Sequence, residues 1–357
     1  MTSLPSSRPD KPMVDPSHSR MFAEAGEAPE VVARQLALNR DVMASAGQML
    51  RDRAPHTVLT CARGSSDHAA TYLKHLVETR AGVMVASLSP SIASIYRSSP
   101  MARGMLAIGL SQSGKSPDLL AAMAAVSASG AGTLAMVNAA DSPLADAVDV
   151  VVPLQAGRET SVAATKSFIA LLTASVSLVA EWADDDALRD ALAGLPELLA
   201  EAWECDWAAL VGELADTRGL YVIGRGPSLG IAQEAALKLK ETCGLHAEAF
   251  SAAEVRHGPL ALVGPDLPLL VFRQVDGSAD GTDRLIEDAL AQGARVVVAS
   301  DRPSAAGTTW LKVPATDPVL APVLAVQAFY RAANALSVRR GFDPDRPPYL
   351  HKVTETV

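Results

Sequence analysis

Short β-rich runs alternate along most of this chain with longer alanine- and leucine-rich stretches of helical period. The runs fall at 57–61, 83–87, 105–110, 132–137 and 148–153, and again at 219–223, 246–250, 267–272, 295–299 and 310–313. Runs of that length between helices mark strands buried on both faces, so the pattern predicts parallel sheets with helices on either side. Ahead of them, residues 21–52 read as a helical arm, with Val31, Val32, Leu36 and Leu38 recurring among polar positions and Pro29 where a helix starts. The longest apolar stretch, 168–182, is broken by Thr173, Ser175 and Ser177 and is too short to span a bilayer, which predicts a buried or interface helix.

The second half repeats the first. Arg63-Gly64-Ser65-Ser66 after the first strand matches Arg225-Gly226-Pro227-Ser228, and Leu76-Val77-Glu78-Thr79 matches Leu239-Lys240-Glu241-Thr242, at an offset of 162 to 163 residues. A period this long is a domain duplication, because solenoid units repeat every ~20–50 residues. The expected organisation is a disordered leader over 1–20, the arm over 21–52, a first domain over 53–185, connecting helices over 186–216, a second domain over 217–340 and a tail over 341–357.

Charge and cysteine content narrow the function. With 31 Lys+Arg against 40 Asp+Glu, the net charge of −9 argues against nucleic acid, which demands a basic face. Cys61, Cys205 and Cys243 are odd in number and lack metal-ligand spacing, so they read as reduced thiols of a cytoplasmic protein. The Pro- and Ser-rich start has no apolar core of a signal peptide, and a soluble protein off the membrane is expected, with no metal and no cofactor.

Two segments carry candidate chemistry. In the first half, the strand ending at Leu110 runs into Ser111-Gln112-Ser113-Gly114-Lys115-Ser116-Pro117. Ser116 suits a helix N-cap and Pro117 the first helical position, so hydroxyls and free N–H groups would gather at a helix start, where anions bind. Any strand-to-helix turn collects Ser and Gly, but this one lies at the carboxyl end of a strand, where open α/β sheets take ligands. The corresponding turn of the second half, Arg273-Gln274-Val275-Asp276-Gly277, has lost the hydroxyls. In that half, Lys238 and Glu241 stand one turn apart on an alanine-rich helix, and His257-Gly258-Pro259 forms a rigid turn that could aim an imidazole. A Lys/Glu pair at this spacing is also the usual surface ion pair.

From about Met21 onward the chain resembles the isomerase half of glutamine:fructose-6-phosphate aminotransferases and the stand-alone glucosamine-6-phosphate deaminases built on paired sugar isomerase (SIS) domains. The resemblance rests on Ser111-Gln112-Ser113-Gly114, on Glu159 with Val162-Ala163-Ala164-Thr165-Lys166, on Leu237-Lys238-Leu239-Lys240-Glu241, on His246-Ala247-Glu248-Ala249 and on His257-Gly258-Pro259-Leu260-Ala261-Leu262. It implies an α/β fold of two tandem SIS domains, each a parallel sheet flanked by helices in a flavodoxin-like three-layer sandwich. It also implies that Ser66, Ser111, Gln112, Ser113 and Ser116 hold a sugar phosphate and that Glu159 and Val162 line the sugar. Glu241 would move a proton between C1 and C2, with Lys238 beside it, and His257 would open the sugar ring from a neighbouring subunit of a homodimer. Lys352, which without the resemblance is an exposed tail lysine, would condense with the open-chain ketose.

The chain departs from the aminotransferase pattern at Lys115, Ala164 and Arg63, which leaves the reaction class standing and the sugar open. It begins without the glutaminase domain that such an aminotransferase carries. The expected activity is therefore deamination and isomerisation of glucosamine 6-phosphate to fructose 6-phosphate and ammonia, without glutaminase activity. The alternatives are another phosphosugar isomerase or fructosamine-phosphate deglycase, and a non-catalytic phosphosugar sensor.

Overall fold

The structure, a computed structural model, describes residues 15–350 and Lys352. Strands β1 (Thr57–Cys61), β2 (Met84–Ser87), β3 (Leu106–Ser111), β4 (Gly132–Val137) and β5 (Val150–Pro153) form one sheet in the order β2-β1-β3-β4-β5. Strands β6 (Gly219–Gly224), β7 (His246–Ser251), β8 (Leu269–Phe272), β9 (Val296–Ser300) and β10 (Thr309–Lys312) form a second, in the order β10-β9-β8-β6-β7. Read from its other edge, the second order is the first with every strand five places on, and all pairings are parallel. The duplication expected from matching tetrapeptides is thus a duplication of topology. Each sheet reverses strand order between its first and third strands, which opens a crevice at their carboxyl ends.

The β-rich runs landed in strands; the inner strands β3 and β8 are buried along their whole length, whereas β2, β7 and β10, at sheet edges, are partly exposed. The stretch expected as a buried or interface helix is Lys166–Ala183, the helix among the described residues long and apolar enough to cross a membrane, and 89% of it is buried inside the fold. It packs against the arm and against the helix Ser65–Leu76, so its apolar surface is spent within one chain.

Residues 1–14 of the expected leader lie outside the described residues. Residues 15–20 are not without structure: Asp15 caps a turn at Pro16–His18, and Ser19 caps the helix Arg20–Gly26. The Ser19 hydroxyl donates to Asn334 Oδ1 at 2.6 Å, and the Arg20 and Met21 N–H groups donate to the Asp345 carboxylate. Caps and partners far along the chain override the local composition that suggested a leader up to residue 20.

The two domains meet through Ser65–Leu76 of the first and Ser228–Cys243 of the second. Gly230 lets them touch: a Cβ there would stand 2.5 Å from the His68 carbonyl oxygen. That approach carries the polar face of Ser228–Cys243 to the carboxyl end of the first sheet.

Candidate active site

A cavity of about 360 Å³ opens at the carboxyl end of the first sheet, lined by residues from both domains and from the tail. Its floor is the turn after β3. Gly114 holds φ +64° there, and any side chain would drive into Ser142, 2.1 Å from its Oγ. Ser111 Oγ accepts the Gly114 N–H at 2.9 Å, which fixes the turn. Ser116 takes the N-cap position of Pro117–Ala128 but makes no side-chain bond to it, so its hydroxyl is not spent on capping. Ser111, Gln112, Ser113, Ser116 and Ser66 all line this cavity, with two helix starts behind them. Donors and helix dipoles gathered in this way suit an anion.

Opposite stand Lys238 and Glu241 from the second domain. Lys238 is no surface lysine; it is 1% exposed, its Nζ lying 2.5 Å from Glu241 Oε2, 3.4 Å from Glu234 Oε1 and 3.1 Å from Ser65 Oγ. Burial alone would lower its pKa, but the Glu234 and Glu241 carboxylates outweigh burial and raise it. Glu234 is fully buried and would be pushed up by that burial; Lys238 and a hydrogen bond from His68 hold it below its ordinary value instead. His68 Nδ1 lies 3.1 Å from Glu234 Oε2, and the Ser65 and Tyr330 hydroxyls donate to Glu234 Oε1 at 3.2 and 3.0 Å. Every polar group of this cluster has a partner, the condition under which buried charge is tolerated. The result is a fixed ammonium that presents the Glu241 carboxylate to the cavity.

Sequence reasoning found Lys238 and Glu241 but missed Ser65, His68, Glu234 and Tyr330. A signal existed for one of them, since Glu234, Lys238 and Glu241 recur at i, i+4 and i+7 and so share one helix face. The others come from 170 residues upstream or 90 downstream and have no local signature.

The tail lysine is in the site. Lys352 lines the cavity, and its Nζ lies 3.1 Å from Glu159 Oε2. Val162 lines the cavity as expected, whereas Glu159 does not: its side chain has no exposure and sits beneath Lys352. His257 is not brought to the cavity either; it is exposed on the turn Glu254–His257. Arg63, not assigned a role from sequence, lines the rim and donates to buried Asp118 through Nε at 3.0 Å and Nη2 at 2.6 Å. No group of His, Cys, Asp and Glu that could hold a metal ion occurs among the described residues.

This arrangement can grip an anion at one end and, at the other, place a carboxylate and an amine near the same two or three carbon atoms. Comparison with known proteins gives the family. The family model for the SIS domain matches residues 53–180 and 213–330. The glutamine–fructose-6-phosphate aminotransferase (isomerizing) of Thermococcus kodakarensis is 34% identical over 93% of this chain, and the match spans 57% of that relative's length. A protein of Silicibacter pomeroyi DSS-3 described as a phosphosugar isomerase superposes with a TM-score of 0.87 at 40% identity, covering 92% of this chain and all of the other. The C-terminal domain of the Francisella tularensis glucosamine-fructose-6-phosphate aminotransferase gives 0.83 at 25%, covering 92% and 98%. With a serine turn at the end of the middle strand of one sheet, a helix of the other closing over it, and family matches on both, this chain belongs to the SIS domain family and carries two such domains in tandem.

Proposed function

We propose that the chain binds a hexosamine 6-phosphate, glucosamine 6-phosphate first among them, and converts it to fructose 6-phosphate and ammonia. The observation that carries this reading is the convergence of Glu241, Lys238 and Lys352 on one cavity whose far end is the serine turn. The phosphate would rest on Ser66, Ser111, Gln112, Ser113 and Ser116, where charge-assisted bonds from hydroxyls and N–H groups each contribute ~1.5–3 kcal/mol. That fixes C1 and C2 of the opened sugar near Glu241. The carboxylate takes the proton from C2 and returns it to C1 while a proton of the C2 amine passes to O1, which turns an aldehyde bearing a C2 amine into a C2 imine with a hydroxyl on C1. Lys238, held charged, stabilises the oxygen that gains negative character in the enol form. Water addition to the imine, directly or after exchange onto Lys352, releases ammonia and leaves the ketone.

Relatives at 34% and 40% identity, one an isomerizing aminotransferase and one described as a phosphosugar isomerase, support the substrate class. The three thiols of this chain are not poised as nucleophiles: Cys61, Cys205 and Cys243 are all buried, and burial pushes Cys61 up to about 12 and Cys243 up to about 11. A thiol held protonated in the core does not attack an amide. Reduced buried thiols also go with the cytoplasm, which we include in the proposal. His257 would serve ring opening in the cavity of a second copy, so the proposal includes a homodimer with shared sites. It includes no nucleic acid and no membrane partner.

Purified protein incubated with a panel of hexosamine 6-phosphates should release ammonia and form fructose 6-phosphate. Ketose–aldose isomerisation with no ammonia from any amino sugar would instead favour the plain isomerase reading, since Glu241 serves both. Sharing is tested separately. A Glu241→Gln chain mixed with a His257→Ala chain should regain part of the activity that each lacks alone, because half of the cavities in a mixed dimer are then intact. Mixing without any recovery would remove His257 from the neighbour's site.

A further inference from the structure

We propose that Glu159 is not a sugar contact but the positioning residue that seats the C-terminal tail lysine in the cavity. The carboxylate lies at the start of the central helix Lys166–Ala183, where its Oε1 accepts the N–H groups of Thr165 at 2.9 Å and Ser167 at 3.2 Å. Its Oε2 accepts the Ser167 hydroxyl at 2.6 Å and Lys352 Nζ at 3.1 Å. Three of these four donors belong to the rigid helix start and hold the carboxylate in one orientation. The fourth belongs to the tail, 193 residues away in sequence. Lys166, the nearest lysine along the chain, does not compete, because its Nζ pairs with Glu27 Oε2 at 2.7 Å.

The energetics run in one direction. A carboxylate with no exposure is costly without a counter-charge. Burial would raise its pKa; the Lys352 charge, with the hydrogen bonds from Ser167 and Thr165, brings it below the ordinary value of 4.5. The carboxylate therefore stays ionised at neutral pH and draws in the tail, whose Leu350 lines the same cavity as Lys352. A group so held is a poor proton acceptor, and its work is electrostatic.

Charge conservation makes this useful to the chemistry proposed above, on which this step rests. A lysyl ammonium and a ketone give an iminium and water, R–NH3+ + O=CR2 → R–NH+=CR2 + H2O, with one positive charge on the same nitrogen before and after. Glu159 balances that charge at both ends of the step and keeps the nitrogen over the sugar carbons.

Trypsin reads the seating without any catalysis, because it cuts after Lys352 only when that side chain has left the cavity, and the cut releases residues 353–357 as one peptide. In Glu159→Gln the peptide should appear at least about tenfold faster than from the unaltered chain; equal rates overturn the proposal. Should that variant not fold, Glu159→Asp keeps the charge but shortens its reach by one methylene. It should release the peptide faster than the unaltered chain, and equal rates again overturn the proposal. A second arm treats the proteins with fructose 6-phosphate and borohydride and weighs the adduct on Lys352. Glu159→Gln should lose at least about tenfold in adduct while its affinity for inorganic phosphate is unchanged; parallel loss of both marks a merely structural residue and overturns the assignment. An unaltered chain that forms no adduct sinks the imine chemistry, and peptide release then decides the seating alone.

Discussion

The turn after β3 and the turn after β8 occupy the same place in two sheets of one topology, and they have become opposites. At an offset of 162, Gln112 corresponds to Gln274 and Ser116 to Ser278, so the second turn keeps more of the first than its missing serines suggested. The hydroxyls are not all lost, since Ser278 stands at the N-cap of Ala279–Ala291 as Ser116 does at its own helix. Ser111, however, is replaced by Arg273, which is locked to Asp283 at 2.5 and 2.6 Å, and Ser113 by Val275. The N–H group that would meet an anion at that helix start is already bonded to Asp276 Oδ1 at 2.8 Å. The cleft that remains measures about 20 Å³, room for roughly one water, against about 360 Å³ in the first domain. Both helix starts carry an Arg–Asp pair, Arg63–Asp118 in the first and Arg273–Asp283 in the second, but only the second puts its arginine in the place of Ser111 and a valine in the place of Ser113. The second domain instead sends its helix Ser228–Cys243 across to the first domain's cavity. Under the function proposed above, binding and proton transfer fall to different copies of one repeated unit.

The division is tested most severely at Glu241. Glu241→Gln should lower turnover by about two to four orders of magnitude, the usual worth of a positioned acid–base group, while leaving affinity for a sugar phosphate within about twofold. Turnover from steady-state ammonia release and affinity by calorimetry separate the two. A large fall in affinity would show that the second domain also grips the phosphate, and the comparison would break.

Much of this was legible in the sequence, and what was not has a physical reason. Ten β-rich runs became ten strands; the inner ones stand out because a strand buried on both faces needs apolar residues in succession, while β7, at a sheet edge, keeps His246 and Glu248. The serine turn was legible because its spacing reflects a local geometry, strand to turn to helix. The cluster around Glu234 was not, because the face of Ser228–Cys243 that holds Glu234, Lys238 and Glu241 is buried against another helix, whereas helical periodicity expects a charged face in water. Lys238 and Glu241 needed the family resemblance to lift them above an ordinary surface pair. Glu159 was legible as a site residue, but its pairing with Lys352 was not, because the two meet only through the tertiary fold.

A middle-sized effect belongs to the first turn. Ser113→Ala or Ser116→Ala should weaken sugar-phosphate binding by about tenfold to a hundredfold, which is ~1.5–3 kcal/mol for one lost charge-assisted bond. Turnover at saturating substrate should fall far less, since neither hydroxyl is needed for the proton transfer. Unchanged affinity in both variants would make the turn structural, and the contrast between the two domains would lose its functional half.

The smallest effect is expected at Ser278, and it is the sharpest test of the contrast because the residue is the counterpart of Ser116. Ser278 Oγ is buried and has no hydrogen-bond partner among the described residues, nor does its neighbour Gln274 Nε2. If a phosphate still bound at this helix start, Ser278→Ala should cost as much affinity as Ser116→Ala. We expect instead less than about twofold change in affinity and in turnover, because Asp276 already occupies the helix start. Stability carries a sign as well. Removing a buried hydroxyl that has no partner removes a desolvation penalty, so thermal unfolding should be unchanged or shifted upward, by no more than ~1–3 kcal/mol. A downward shift with affinity unchanged would instead mean that a bound water satisfies this hydroxyl. Either result leaves the second turn as architecture, whereas a loss of affinity matching Ser116→Ala would give the chain a second anion site and end the contrast.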